Sequence, residues 1–251
     1  MGEPWPIRKA RRVFERARRL VNRARGRADR WLDRDGAAPY ATQARLRIRT
    51  DYPVAYESHD HQAPHGTAND NTHYPWFVTK TQRVFGRKVR HMDLGCSGGG
   101  LVKDFLDANH FSVGVEGSDY SLKRQRAEWK TIPGNLFTAD ITKPFFIYDE
   151  QAAATPERIL FDVISAWEVM EHIHERDLPG LFANIRDNLV PGGLFVCSVA
   201  EFPDGEWHVT LQPKPWWERK FQEAGLPPVE GVYVDGDYVR ESSFYITARK
   251  S

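Results

Sequence analysis

Residues 89–100 read VRHMDLGCSGGG. A short apolar run ends in Asp93-Leu94-Gly95, glycines follow, and an amphipathic stretch opens near Leu101. That is a strand passing through a tight turn into a helix. Glycine lets the backbone come close to a ligand, and a helix N-terminus favours a negative group such as a carboxylate. Nucleotide and dinucleotide sites share this layout. The spacing is not Gly-x-Gly-x-x-Gly, which counts against NAD.

Outward from this turn, short apolar runs alternate with amphipathic stretches of helical length. The runs predict strands at Val89–Leu94, Phe111–Glu116, Leu136–Ala139, Ile159–Ala166 and Leu194–Val199, with a C-terminal pair at Val232–Val234 and Phe244–Ala248. Helices are expected at Gly99–Ala108, Ser121–Lys130, Arg176–Leu189 and Pro215–Ala224. Such alternation implies right-handed crossovers. The expected architecture is α/β: a doubly wound sheet of about seven mainly parallel strands with helices on both faces. The closing pair, joined by Asp235-Gly236-Asp237, reads as antiparallel.

Three further segments carry chemistry. In FSVGVEGSD (111–119) a strand ends in Glu116, with Gly117 and Ser118 behind it. It lies about 20 residues past the glycine turn, where a carboxylate at the sheet's carboxyl edge can accept bonds from both hydroxyls of a ribose. In NLFTADI (135–141) Asp140 stands just past the next strand, placed to accept a bond from an adenine amino group while Ile141 packs on the ring. The last is FDVISAWEVMEHI (161–173), followed at a helix's length by LVPGGLFVCS (189–198).

In order and spacing, these motifs resemble the class I S-adenosylmethionine (SAM)-dependent methyltransferases, a Rossmann-like family. The likeness is to the group whose fourth strand runs into a Glu-x-x-Glu-His turn, and it spans roughly Val84 to Val199. It implies SAM as cofactor, with Glu116 on the ribose and Asp93, Gly95, Ser97 and Gly98 in the turn facing the methionine moiety. Asp140 and Ile141 match the adenine positions, and Ala166, Trp167 and Glu168 the turn flanking the sulfonium. Ser97 departs from the family's usual third glycine; serine is small, and its hydroxyl can add a contact.

Methyl transfer from a sulfonium is an in-line displacement, so the protein mainly aligns the nucleophile and handles its proton. An amine needs little else, whereas a hydroxyl needs a base, a metal, or both. The candidate bases are His172, with Glu171 beside it as orienting acid, and His208, between the fifth strand and the next helix. His172 also admits a purely structural role, and His174 reads as a solvated helix start. Glu168 and Glu201 end adjacent strands and can hold Mg²⁺, or stand as two acids in an open cleft without metal. In GEWHVTLQPKPWWE (205–218), Trp207, Trp216 and Trp217 offer flat faces suited to sugar rings or to a core. This loop is similar to loops of bacterial glycan and secondary-metabolite methyltransferases. The likeness implies O-methylation of a carbohydrate hydroxyl, with N- or O-methylation of a non-sugar metabolite as the alternative.

The chain of 251 residues has room for one α/β domain and an extension. Residues 1–50 carry 15 Lys/Arg against 5 Asp/Glu, and the remainder 20 against 29. The chain thus divides into a basic helical extension (1–50), a polar segment (51–76) and a catalytic domain (77–251). From Val13 to Leu32 apolar residues recur at helical spacing among arginines. Such a helix lies on anionic lipid or another polyanion, or packs on the acidic body or a second subunit, giving a homodimer; an Arg-rich organellar leader is a third reading, weakened by the interspersed acids. The 51–76 segment holds His59, His61, His65 and His73, and reads as a lid with substrate contacts or as solvated linker. No stretch is apolar enough for a membrane span or a secretory leader. Cys96 and Cys197 read as reduced thiols. The expectation is a cytoplasmic protein, at most peripheral to the inner membrane surface.

Rival classes fit less well. An RNA-binding methyltransferase would use the basic arm on phosphates, but arginines in one helix suit a groove poorly and no Asn/Asp-Pro-Pro-aromatic motif is present, so nucleic acid is not an expected partner. A non-catalytic scaffold would have no need of Asp93, Gly95 and Glu116 together.

Overall fold

A computed structural model describes residues 45–151, 155–233 and 243–251. The helix expected at Val13–Leu32 and the turn at Asp235–Asp237 lie outside them. The described strands are β1 (Leu46–Thr50), β2 (Arg90–Leu94), β3 (Phe111–Glu116), β4 (Leu136–Thr138), β5 (Phe145–Asp149), β6 (Phe161–Ala166), β7 (Leu189–Ala200) and β8 (Ser243–Arg249). The helices are α1 (His59–Gln62), α2 (Gly66–Asn69), α3 (Pro75–Phe85), α4 (Gly100–Asp107), α5 (Tyr120–Arg124), α6 (Leu178–Asn188) and α7 (Lys214–Glu223). Six strands form one sheet in the order β4-β3-β2-β6-β7-β8, with only β8 antiparallel to its neighbour. This is the expected Rossmann-like sheet. The strand order reverses between β2 and β6, and ligands of open α/β sheets bind at that switch point, beyond the carboxyl ends of the strands.

Alternation along the strands sorts side chains onto two faces. Met92, Leu94, Val113, Val115 and Ile164 meet Leu181 and Ile185 of α6 and Trp217 and Phe221 of α7. On the opposite face Val163, Leu194 and Val196 meet Phe77 and Val78 of α3 and Leu101 and Phe105 of α4. The central strands β2, β3, β6 and β7 are covered on both sides, which accounts for their near-continuous apolar runs. Among the described residues no helix is long and apolar enough to cross a membrane.

Several elements depart from the sequence-based expectation. Leu46–Thr50, assigned to the helical extension, is a strand that pairs antiparallel with β5, itself unexpected. Its LRIRT alternation turns Leu46 and Ile48 toward the core and arginines outward, a period of two hidden in an Arg-rich run. The helix α3 was not foreseen; Pro75 opens it and Gly86, at φ 64°, closes it. The single helix expected at Ser121–Lys130 breaks at Gln125 and resumes as a 3₁₀ turn at Ala127–Lys130. Gln125 and Ala127 both take positive φ, and the break aims Arg126 and Trp129 at the glycine turn. Finally, Val232 and Tyr233 form a bend rather than a strand. Tyr233 is buried with its hydroxyl 2.9 Å from Thr81 of α3. The segment beside β8 is Pro227–Val229 instead, limited to an isolated bridge because proline has no N–H to give a ladder.

Candidate functional site

A cavity of about 820 Å³ opens at the carboxyl ends of β2, β3, β4 and β6, within the range of small-molecule sites. Asp93, Gly95, Ser97, Glu116, Gly117, Asp140, Ile141, Trp167, Glu168, His172 and His208 line it. Gly98, Ser118, Ala166 and Glu171 are buried behind that lining. Glu201 is exposed and outside the lining, so the structure gives no support to its pairing with Glu168 around a metal. Lys143 and Arg176 are the only Lys or Arg among the described lining residues, against carboxylates on every wall. The cavity therefore favours a cation.

One wall is the glycine turn. Glu116, 5% exposed, accepts a bond from the Ser97 N–H at 2.7 Å and from the Ser118 N–H at 3.2 Å. A third comes from the hydroxyl of Thr67, in the polar segment, at 3.1 Å. Burial raises its pKa, while these three donors pull the other way. Gly95 has φ 69°, and a Cβ there would meet Val169 at 2.5 Å. A Cβ on Gly98 would strike Asn71, and one on Gly100 the Thr72 carbonyl at 2.6 Å. These two glycines thus admit the 69–73 peptide as well as a ligand. Ser97, at φ 45°, donates its hydroxyl to the carbonyls of Gly66 and Asp70. Arg126 reaches the same Asp70 carbonyl at 2.5 Å, and the Trp129 indole donates to the Ser97 carbonyl at 2.8 Å.

Beneath the turn runs a buried polar chain that sequence reading missed. Ser165 donates to Asp93 at 2.6 Å, so His91 must donate its Nε2–H to Ser165 (2.8 Å) and accept from Ser112 at Nδ1 (2.8 Å). Burial keeps His91 neutral, and its ring stacks on Phe105 at 3.8 Å. Burial pushes Asp93 up to about 7, with Ser165 opposing and Glu116 adding to the rise. The signal was in the sequence: His91 and Asp93, two apart on a strand, must share a face.

Asp140 accepts from the N–H and hydroxyl of Thr142, at 2.9 and 2.6 Å, which fixes the bend after β4. Ile141 is core-packed with an edge on the cavity.

The opposite wall follows β6 and β7. Glu168 sits at φ 53°, its N–H held by the Ser198 hydroxyl and one carboxylate oxygen by Ser243. Glu171 is fully buried; Oε1 accepts from the Ala200 N–H, and Oε2 has no hydrogen-bond partner. Burial pushes its pKa up to about 7. His172 Nδ1 lies 3.1 Å from Asp60 of the polar segment. Burial works against its protonation, yet Asp60, Glu171 and Glu168 together raise its pKa. His208 packs edge-on against His172 and donates Nδ1–H to the Phe202 carbonyl at 2.6 Å, which leaves the lone pair on Nε2. His174 is exposed. Of the three tryptophans in 205–218, Trp217 is core, Trp216 packs against it, and Trp207 lines the cavity. Asp60 and Thr67, which complete both walls, carried no signal beyond their place in a His-rich segment.

A profile of the methyltransferase-domain family matches residues 10–230. No curated protein sequence matches the chain. Among solved structures, the fold is similar to a SAM-bound amino pentose methyltransferase from Micromonospora echinaspora. That match has 15% identity and a TM-score of 0.52, over 70% of this chain and 89% of the other. A glycopeptide N-methyltransferase is similar at 17% identity and TM-score 0.50, over 70% and 90%; its complex with S-adenosylhomocysteine matches at 15% and 0.50, over 72% and 88%. With a family match running across most of its length and a sheet of the same kind, the chain belongs to the class I SAM-dependent methyltransferases.

Proposed function

We propose that this cavity transfers the methyl group of SAM to a hydroxyl of a small molecule, most simply a sugar. The observation that carries the reading is the division of one acid-lined cavity into two walls. Glu116 and the glycine turn stand on one, His172 and His208 on the other, with Glu171 buried behind them. On the first wall, Glu116 exchanges its Thr67 bond for ribose hydroxyls, Asp140 and Ile141 take the adenine, and Gly95 to Gly98 receive the methionine moiety. The acidic lining suits the net positive charge of SAM and opposes a phosphate-bearing acceptor. On the second wall, the Glu171–His172–His208 group manages the hydroxyl's proton, which an amine acceptor would not require. Trp207 offers the flat face on which a sugar ring packs.

Calorimetry with SAM against NAD tests the cofactor, and no binding of SAM would overturn the reading. Labelled SAM offered with sugar, amine and phenol acceptors then tests the acceptor. Label should move to hydroxyls, and His208→Ala should lose at least 100-fold in turnover while SAM affinity stays within about twofold. Transfer confined to amines, with full activity in His208→Ala, would replace O- by N-methylation.

A further inference from the structure

We propose that Glu171, His172 and His208 form a site for one divalent transition-metal ion of the Zn²⁺ or Fe²⁺ kind. One potential ligand atom from each lies within 4.8 Å of the other two. Two imidazoles and a carboxylate around an open position is the donor set of catalytic zinc and non-haem iron centres, and it is too rich in nitrogen for Mg²⁺ or Ca²⁺. The inference rests on reading this cavity as the transfer site, and it gives the proton-handling group a chemical identity.

Two independent observations point to an ion. The first is Glu171 Oε2, in a side chain with no exposed surface, which has no hydrogen-bond partner. A buried carboxylate oxygen left bare is costly, and a cation at the cluster would satisfy it. The second is the support behind both rings. His208 Nδ1–H is fixed on the Phe202 carbonyl at 2.6 Å, and His172 Nδ1 faces the Asp60 carboxylate at 3.1 Å as an ion pair rather than an aligned hydrogen bond. Histidines that hold metals characteristically give their second nitrogen to a carbonyl or a carboxylate, which sets the tautomer and aims the lone pair. Both acceptors come from other parts of the chain, Asp60 from the polar segment and Phe202 from the loop after β7.

Such an ion acidifies an acceptor hydroxyl bound at its open position. The hydroxyl proton passes to water, and the oxygen forms its bond to the methyl carbon as the carbon–sulfur bond breaks. The electron pair of that bond goes to sulfur, which leaves as the neutral thioether.

The test uses untagged full-length protein stripped with chelator and dialysed, then titrated with Co²⁺ followed by optical spectroscopy and with Zn²⁺ followed by calorimetry. SAM affinity is measured separately on the same samples. One equivalent of Co²⁺ should give visible d–d absorption, displaced by Zn²⁺. Glu171→Gln and His208→Ala should each weaken Zn²⁺ binding at least 100-fold while leaving SAM affinity unchanged, and the exposed His174→Gln should leave Zn²⁺ binding intact. Absence of d–d bands in the wild type, unchanged Zn²⁺ affinity in both cluster variants, or an equal loss in His174→Gln overturns the site. Failure of SAM binding with Co²⁺ binding intact would instead remove the methyl-transfer reading and leave the metal site standing.

Discussion

Glu116 is held in place by three donors, and one of them comes from outside the turn. The N–H groups of Ser97 and Ser118 are backbone and belong to the turn itself. The Thr67 hydroxyl belongs to the polar segment and occupies the oxygen that a ribose would claim. On the proposed reading, removing the carboxylate costs the cofactor two charge-assisted bonds. Glu116→Ala should weaken SAM about 100-fold, or ~3 kcal/mol, by calorimetry, and unchanged affinity would take Glu116 off the ribose. Thr67→Val serves as the contrast, because it frees Glu116 without removing it and should hold SAM at least as tightly.

At the scale of elements, the glycine turn is the joint on which two segments meet. Gly100 begins α4, and a Cβ there would run into the Thr72 carbonyl, which is backbone and cannot rotate away. Gly100→Ala should dislodge the 66–73 peptide at a cost of about 1–3 kcal/mol. Faster hydrogen exchange in 66–73, with β2 and β3 still protected, is the measurement that checks it. The parallel strands and the three edge acids Asp93, Glu116 and Asp140 were legible in the sequence because each strand is buried on both faces and stops at a turn. The 51–76 segment was not legible, since its contacts reach Ser97, Glu116, His172 and Trp207 across the fold and leave no local period. The same holds for the break at Gln125: local propensity favours one helix, and tertiary bonds from Arg126 and Trp129 to the glycine turn override it. Glu171 could be read as an acid beside His172, but its bare oxygen could not, because burial and partners are properties of the folded chain.

For the whole molecule, the carboxyl edge of the sheet stores buried acids whose charge the fold resists. Asp93 is raised from 3.8 to about 7, and Glu116 is raised as well, both chiefly by burial. A carboxyl whose folded pKa lies above its unfolded value favours the protonated state in the native protein. Its contribution to stability is complete below about pH 4 and is lost as pH rises toward 7. Asp93→Asn keeps an acceptor for Ser165 and removes the titration. Its melting temperature relative to the wild type should rise from pH 5 to about pH 7, by an amount worth on the order of 3 kcal/mol, and level off above that. A difference that stays flat with pH would show that Asp93 is not held protonated.

Trp207 gives the polar segment a second attachment. Its indole N–H donates to the Ala63 carbonyl at 3.1 Å, and its ring meets His59 edge-on at 4.9 Å and His65 at 5.4 Å. Another of its attachments is Ser97, bonded to Gly66 and Asp70. The segment is therefore fastened to the turn at Ser97 and, one residue from His208, to the loop after β7. On the proposed reading it spans donor and acceptor alike, so release of the spent donor should require both fastenings to loosen, and departure rather than bond-making should set the pace of turnover.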